Sequence, residues 1–258
     1  AQIIHDAFDH DGSIVSFSPR AVLKHVLALF ESAGLRPIVA PELEFFLVQQ
    51  SADANSPLAT PSGRSGRAEK ARQAYGIDAV NEFDPLFEDI YDHCEVQKID
   101  IDTLSHEAGA AQMEINFNHG EALELADQTF LFKRTVRQTS LDHNVHATFM
   151  AKPMQEQPGS AMHLHVSVVD IESGRNLFVN EDSSESDQFY HALAGMQRYL
   201  VAAMPLMAPY VNSYRRQSNS EDSPTNLAWG MDNRTVGLRV PMGDAANRRI
   251  ENRIPGAD

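Results

Sequence analysis

Three short segments of the chain alternate charged or polar residues with apolar ones, as a strand with one ligand-bearing face does. They lie at residues 41–47, 162–168 and 248–254, and they carry two glutamates, two histidines, and a glutamate between two arginines. Successive side chains of a strand point to opposite faces, so residues two apart share a face. Burying carboxylates and imidazoles costs free energy unless a partner compensates. The pattern therefore predicts strands that share a site for metal ions and an anionic substrate.

The composition limits the classes of protein to which the chain can belong. Its 258 residues, 42% of them hydrophobic, suffice for one large domain or two small ones. The formal charge of −15 opposes binding to nucleic acid and to anionic membranes. A single cysteine, Cys94, is typical of a reducing compartment, and no apolar run approaches the roughly 20 residues that span a bilayer. We therefore expect a cytoplasmic protein.

Apolar periodicity and capping residues predict the secondary structure. Ser18 is a helix N-cap, Pro19 occupies the first helical position, and Gly34 ends the helix. Further helices are predicted at 84–97, 121–143 and 186–203, strands at 38–48, 109–118, 145–151, 161–169, 235–240 and 247–254, and loops at 51–75, 173–187 and around 212–216. Strands alternate irregularly with helices, and several strands alternate polar and apolar residues, which predicts a sheet with one face that is solvated or lined by ligands.

Both ends of the chain have strand-like patterns, at residues 2–8 and just before residues 254–258. The first residue is not a methionine. We therefore expect residues 1–258 to be one domain taken from a longer polypeptide.

Four glutamates are candidate ligands for hard cations. Glu42 and Glu44 share a face within a strongly apolar run, which disfavours a merely solvated strand edge. Glu107 and Glu114 are seven residues apart and would be out of phase in an unbroken strand, but a bulge at 109–111 would realign them. A half-exposed amphipathic strand explains that second pair equally well.

Histidines and arginines extend the candidate site. His163 and His165 share a strand face, and imidazole with several carboxylates suits Mn²⁺ or Mg²⁺ better than structural zinc. Arg239 lies on an apolar strand, where a guanidinium needs a phosphate or carboxylate partner. The sequence has no GxxxxGK[ST] phosphate loop and no GxGxxG motif. A nucleotide would therefore be held by metal ions, arginines and strand side chains.

Six motifs occur together and in the order found in one enzyme family. They are ELEFF at 42–46, QMEI at 112–115, GSAMHLH at 159–165, NSYRR at 212–216, NRTVGLRVP at 233–241 and RIENR at 249–253. By these motifs almost the whole chain resembles the catalytic domain of the glutamine synthetase family. The runs at 226–230 and 233–237 are most similar to its γ-glutamyl-polyamine (γ-glutamylputrescine) synthetase branch.

The resemblance implies a role for each matching residue. Glu44, Glu107 and Glu114 match ligands of the metal beside glutamate, and Glu42, His163 and Glu251 match ligands of the metal on the ATP phosphates. Gly159, Arg216 and Arg253 match glutamate-binding positions. Arg234, Arg239 and Arg249 match phosphate-binding groups, and His165 and Ser167 match positions near the nucleotide. Asp222 stands near the position of a flap glutamate, so Arg234, Arg239 and Asp222 are the expected catalytic residues.

The resemblance also implies a fold, a reaction and an assembly. The expected fold is α+β, with a curved, mostly antiparallel sheet lining a funnel and helices outside. The expected reaction joins the γ-carboxylate of glutamate to an amine through γ-glutamyl phosphate, using ATP and two or more Mg²⁺ or Mn²⁺ ions. The complete family member would add an N-terminal β-grasp domain and C-terminal helices and assemble into a homo-oligomeric ring.

Three positions depart from the family pattern, and they concern the amine rather than phosphoryl transfer. Ala111 and Ala161 replace glycines, and Pro158 stands where ammonia-using members often have asparagine. Glutamine synthetase with ammonia is therefore an alternative to a polyamine ligase. A catalytically silent structural relative and a di-metal hydrolase are alternatives from different classes of protein.

Overall fold

The computed structural model describes residues 2–51, 53, 55–218 and 223–258, and Asp222 therefore lies outside the described residues. The helices are α1 (Pro19–Ser32), α2 (Ile77–Asn81), α3 (Asp84–Gln97), α4 (Ala122–Asp142), α5 (Asp187–Met207) and α6 (Val211–Ser218). The strands are β1 (Leu35–Gln49), β2 (Ile101–His106), β3 (Gln112–Phe117), β4 (Gly120–Glu121), β5 (Val145–Thr148), β6 (Met162–Asp170), β7 (Trp229–Met231), β8 (Leu238–Val240) and β9 (Ile250–Asn252).

All nine of these strands belong to one open sheet. Its order is β2-β3-β1-β6-β9-β8-β7, with β4 and β5 also paired to the long strand β1. Every pair is antiparallel except β7 with β8. The predicted α+β fold with a mostly antiparallel sheet is therefore confirmed.

Apolar residues cover one face of the central strands and leave the other face to the polar residues. Leu43 and Phe45 of β1 and Met113 of β3 are fully buried in a core that includes Ile90 of α3 and Phe132 of α4. A second apolar cluster packs α5 against β8 and β9. Because strand residues alternate, Glu42, Glu44 and Glu114 point to the side away from the main core.

The helix predicted from Ser18 is confirmed, since the Ser18 hydroxyl accepts a hydrogen bond from the Ala21 amide at the start of α1. No described helix is both long and apolar enough to cross a lipid bilayer.

Several predicted boundaries are wrong, because pairing and packing override local pattern. Residues 107–111 are the turn of a β2–β3 hairpin rather than part of a bulged strand, and Glu107 donates its amide to the Gln112 carbonyl across that turn. The polar segment predicted as a loop around 212–216 forms α6. In the strand-like stretch at 2–8, the pairing is one isolated bridge from Phe8 to Ile14.

Candidate active site

Strand register brings together the polar residues that sequence spacing placed on single faces. Between β1 and β6, Glu42 lies opposite His163. Between β1 and β3, Glu44 lies opposite Glu114. The row continues across β9, where Glu251 lies opposite His165 on one side and opposite Arg239 of β8 on the other.

Glu42 is the centre of one polar cluster. Its carboxylate oxygens lie 3.2 Å from His163 Nδ1 and 2.7 Å from His165 Nε2. Burial opposes ionisation of Glu42, but the hydrogen bonds to the two imidazoles outweigh it and hold its pKa well below the usual value. Burial lowers the pKa of His163 to about 4, so this ring is neutral at pH 7 and has an available lone pair.

The hydrogen bonds of His165 assign its tautomer. Its Nδ1 accepts from Arg249 Nε at 3.0 Å, and a guanidinium can only donate. The ring proton is therefore on Nε2 and points to Glu42. Arg249 in this way fixes an imidazole donor beside a carboxylate that is itself a candidate metal ligand.

Three further glutamates form a second acidic group. Burial raises the pKa of Glu114 to about 10, and Glu44 and Glu42 add to this shift by repulsion. Burial also raises the pKa of Glu44 to about 8, with the charge of Glu107 acting in the same direction. Burial likewise raises the pKa of Glu107. Carboxylates crowded in this way are not matched by enough protein cations, and a divalent ion would supply the missing charge.

The described residues offer two ligand triads with all donor atoms within 4.8 Å of one another. They are Glu42, Glu114 and His163, and Glu42, His165 and Glu251. Both triads contain Glu42 and neither contains Glu44 or Glu107, so they differ from the two ligand sets expected from the resemblance. Glu44 accepts hydrogen bonds from the Ala161 amide at 2.8 Å and from Gln112 Nε2 at 3.2 Å.

The raised pKa of Glu114 predicts a pH-dependent effect of Glu114→Gln on the metal-free protein. Between the usual 4.5 and about 10, the folded state keeps a proton that the unfolded chain has lost, so wild-type stability falls as pH rises. Glu114→Gln has no carboxyl proton at this position, so this pH-dependent fall in stability is absent from the variant. Its melting temperature at pH 8 should exceed that of the wild type by at least about 3 °C, and the difference should vanish near pH 5.

Titration with Mg²⁺ at pH 8 provides the control for this experiment. The ion should stabilise the wild type, which has the Glu114 carboxylate, and not Glu114→Gln, so the wild type should then have the higher melting temperature. An equal difference at pH 5 and pH 8 would contradict the assignment.

Three of the candidate arginines, Arg239, Arg253 and Arg234, are paired with carboxylates or with a phenol. Arg239 donates to Glu251 at 2.7 Å and through Nε to Asp232 at 3.1 Å, and Arg253 also donates to Glu251. Burial opposes ionisation of Glu251, but the nearby His163 and Arg253 outweigh it and lower its pKa. The prediction that Arg239 needs a phosphate or carboxylate partner is thus confirmed, and the partner is the carboxylate of Glu251. Arg234 donates to the Tyr75 hydroxyl at 2.9 Å.

The candidate glutamate-binding residues pack against one another. Arg216 is buried and donates to the carbonyls of Ile254 and Arg253, at 2.8 and 3.0 Å. Its Nε is buried and has no protein partner among the described residues. A Cβ on Gly159 would come within 2.5 Å of the Arg216 side chain and 2.7 Å of the Ala151 carbonyl oxygen. Glycine is therefore required at position 159 by close packing.

A cavity of about 1150 Å³ opens beside the Glu42 cluster. Its lining includes Glu42, His165, Ser167 and Arg249. Three of the residues assigned to the nucleotide thus face one space, which is large enough for a nucleotide. Arg234 and Arg239 are not part of this lining.

Sequence reasoning missed two residues of the site. Asp232 accepts from Arg239, and Tyr75 accepts from Arg234 although the two lie 159 residues apart. Asp232 directly precedes the NRTVGLRVP motif, which was an available signal. Tyr75 has a φ of 61°, a conformation that bulky residues rarely adopt, and nothing in its local sequence indicates this.

Comparisons with known proteins show to which family the chain belongs. A family profile described as "Glutamine synthetase, catalytic domain" matches residues 16–258. The chain is 39% identical to gamma-glutamylputrescine synthetase PuuA of Escherichia coli (strain K12) over 260 residues, covering 100% of this chain and 55% of the relative. It is 34% identical to glutamine synthetase of Halobacterium salinarum over 257 residues, covering 99% of this chain and 55% of the relative.

A solved structure of a GmaS/ADP complex superposes with a TM-score of 0.81 at 28% identity, covering 96% of this chain and 56% of that one. The chain therefore spans about half the length of the relatives it matches. The profile match, these identities and the shared fold all support one conclusion. The chain belongs to the glutamine synthetase family.

Proposed function

We propose that the protein containing this chain is an ATP-dependent ligase that joins the γ-carboxylate of glutamate to a primary amine. One observation carries the proposal. Carboxylates and imidazoles from β1, β3, β6 and β9 meet on one sheet face, next to a cavity, to Arg239 of β8 and to the arginines that flank β9. This is a donor set for metal ions and phosphate on a single surface.

The donor set fits Mg²⁺ or Mn²⁺, because its ligands are hard oxygens and imidazole and its carboxylates are crowded to the point of raised pKa values. We assign two or more such ions to Glu42, Glu44, Glu107, Glu114, His163 and Glu251. Bound there, they would neutralise phosphate charge and polarise the transferring phosphoryl group.

In the proposed first step, the glutamate γ-carboxylate attacks the γ-phosphorus of ATP, and the bond to ADP breaks to give γ-glutamyl phosphate. Arg234 and Arg239 would donate to the oxygens that gain charge. Arg249, His165 and Ser167 would bind the nucleotide in the cavity. Gly159, Arg216 and Arg253 would position glutamate.

In the proposed second step, the amine nitrogen attacks the γ-carbonyl carbon, and the bond to phosphate breaks to leave a γ-amide. The amine must lose a proton, and we assign its acceptor to Asp222 by family resemblance. Water must be excluded because the acyl phosphate would otherwise hydrolyse. By the same resemblance, we expect a homo-oligomer with the sites near subunit boundaries, and the composition leads us to expect it in the cytoplasm.

We further propose that the amine is larger than ammonia, with putrescine or a related polyamine as the substrate class. The 39% identity to a protein named gamma-glutamylputrescine synthetase supports this, as do the runs at 226–230 and 233–237 and Pro158. The charge of −15 also attracts a cationic amine, in a salt-dependent way.

A turnover screen of the complete protein with glutamate, ATP and a panel of amines tests the proposal. We expect kcat/KM for putrescine to exceed that for ammonia by at least about tenfold, the equivalent of 1.4 kcal/mol of transition-state binding. A higher kcat/KM for ammonia would instead identify a glutamine synthetase, the activity named for the Halobacterium salinarum relative.

The same assay distinguishes a ligase from a di-metal hydrolase and from a catalytically silent relative. For a ligase, phosphate release should require glutamate and amine together. Release from ATP with neither present would indicate a hydrolase, and no turnover with any amine would indicate a silent relative.

A further inference from the structure

A buried, hydrogen-bonded pair of side chains lies next to the acidic cluster and takes no part in the chemistry assigned above. Glu69, from the long segment before α2, accepts from His106 Nε2 at 2.9 Å. The His106 side chain is 0% exposed and that of Glu69 is 9% exposed. Removing one partner of a pair buried to this degree strongly destabilises the protein, because the remaining side chain is left buried without its partner.

The same carboxylate oxygen of Glu69 also accepts from the Ala111 amide at 2.9 Å. His106 is the last residue of β2, and Ala111 directly precedes β3. Glu69 therefore holds both ends of the 107–111 turn. Ala111 has a φ of 55°, in the left-handed region that favours glycine, so the turn needs external contacts to keep its shape.

His106 continues the connection to the candidate metal ligand. Its Nδ1 lies 2.7 Å from the backbone carbonyl oxygen of Glu107. The two ring nitrogens thus face the Glu69 carboxylate and the Glu107 carbonyl, so the ring bridges Glu69 and the backbone of Glu107. The backbone of Glu107 is held by this ring on one side and by its own amide bond to the Gln112 carbonyl on the other.

We propose that Glu69, acting through His106 and the Ala111 amide, is a positioning residue that sets the location of the Glu107 carboxylate for metal binding. The inference rests on the proposed function, since it takes Glu107 as a metal ligand. The hydrogen bonds of Glu69 go to His106 and Ala111 rather than to the side chains of the metal ligands, and Glu69 does not line the 1150 Å³ cavity.

Mn²⁺ binding to the complete protein, measured by calorimetry and by the electron paramagnetic resonance of free Mn²⁺, tests this role without turnover. Glu107→Ala should abolish one Mn²⁺ site. Glu69→Ala should lower the Mn²⁺ affinity of that same site by about 10–100-fold, the range seen when an outer partner of a metal ligand is lost. Glu69→Gln should have a smaller effect, because an amide can still accept from Ala111 but carries no charge.

Glu82→Ala is the matched control. Glu82 accepts from the Ser65 amide at 3.0 Å and so anchors the same long segment away from the 107–111 turn. It should leave Mn²⁺ affinity unchanged. A loss equal to that of Glu69→Ala would overturn the specific role, as would wild-type Mn²⁺ affinity in both Glu69 variants.

Hydrogen exchange of the Ala111 amide keeps the two proposals distinguishable. If the wild type binds no Mn²⁺, the proposed function fails. Faster exchange at Ala111 in Glu69→Ala but not in Glu82→Ala would still support the positioning of the turn, and unchanged exchange in both would overturn it.

Discussion

Replacing Glu114 or His163 by alanine should reduce metal-dependent phosphoryl transfer from ATP by about 10³-fold or more, which corresponds to about 4 kcal/mol of lost transition-state stabilisation. The two residues form one triad with Glu42, and His163 also lies 3.7 Å from Glu251. Each replacement removes a ligand from a group in which the donor atoms are already within 4.8 Å of one another. ADP formation in the complete protein, measured against Mg²⁺ and Mn²⁺ concentration, gives the result.

Glu88→Ala is a suitable control, because Glu88 is an exposed glutamate on α3. It should retain wild-type turnover and the wild-type metal requirement. Wild-type ATP turnover in both Glu114→Ala and His163→Ala would show that the metal assignment is wrong.

Arg239→Met should affect both stability and catalysis. Glu251 has a side-chain exposure of 1%, and it would keep Arg253 but lose its other guanidinium partner. Removing one member of a buried ion pair costs about 3 kcal/mol, which lowers the melting temperature of a domain this size by about 6–12 °C. If Arg239 is the proposed donor to the transferring phosphoryl group, its loss should lower kcat by a further factor of about 10²–10³.

Arg198→Met separates these effects from the general loss of an arginine. Arg198 is exposed on α5 and stacks over Tyr199 at 5.6 Å. Its replacement should leave the melting temperature and kcat close to wild type. A destabilised Arg239→Met enzyme with unchanged kcat at low temperature would show that Arg239 serves only as the partner of Glu251.

Strand alternation made the site visible in the sequence to a large extent. Glu42 and Glu44, like His163 and His165, share a face because β1 and β6 are regular strands, and this geometry follows from residue spacing alone. The prediction that Arg239 needs an anionic partner followed in the same way, from the cost of an unpaired charge on an apolar strand.

Spacing was insufficient where the chain turns. Glu107 and Glu114 were expected to align through a bulge, whereas the structure places Glu107 in the turn of a hairpin and Glu114 on its second strand, β3. That outcome depends on β2, a strand whose residues are partly exposed and whose local pattern is weak. It depends also on Glu69, 42 residues before Ala111, which stabilises the turn through one carboxylate.

Residue types and their alternation along each strand determined by themselves which side chains are candidates for the site and that these side chains point away from the core. The tertiary structure alone decided which of them meet. Glu42 contacts His163 across 121 residues because β1 pairs with β6 in one register, and a shift by one residue would turn every such side chain to the opposite face. Helix α6 likewise exists where its polar sequence predicts a loop, because the carbonyls of Arg253 and Ile254 bind the buried Arg216 guanidinium. Contacts of this kind join residues that are far apart in the chain, and the local sequence around each residue does not predict them.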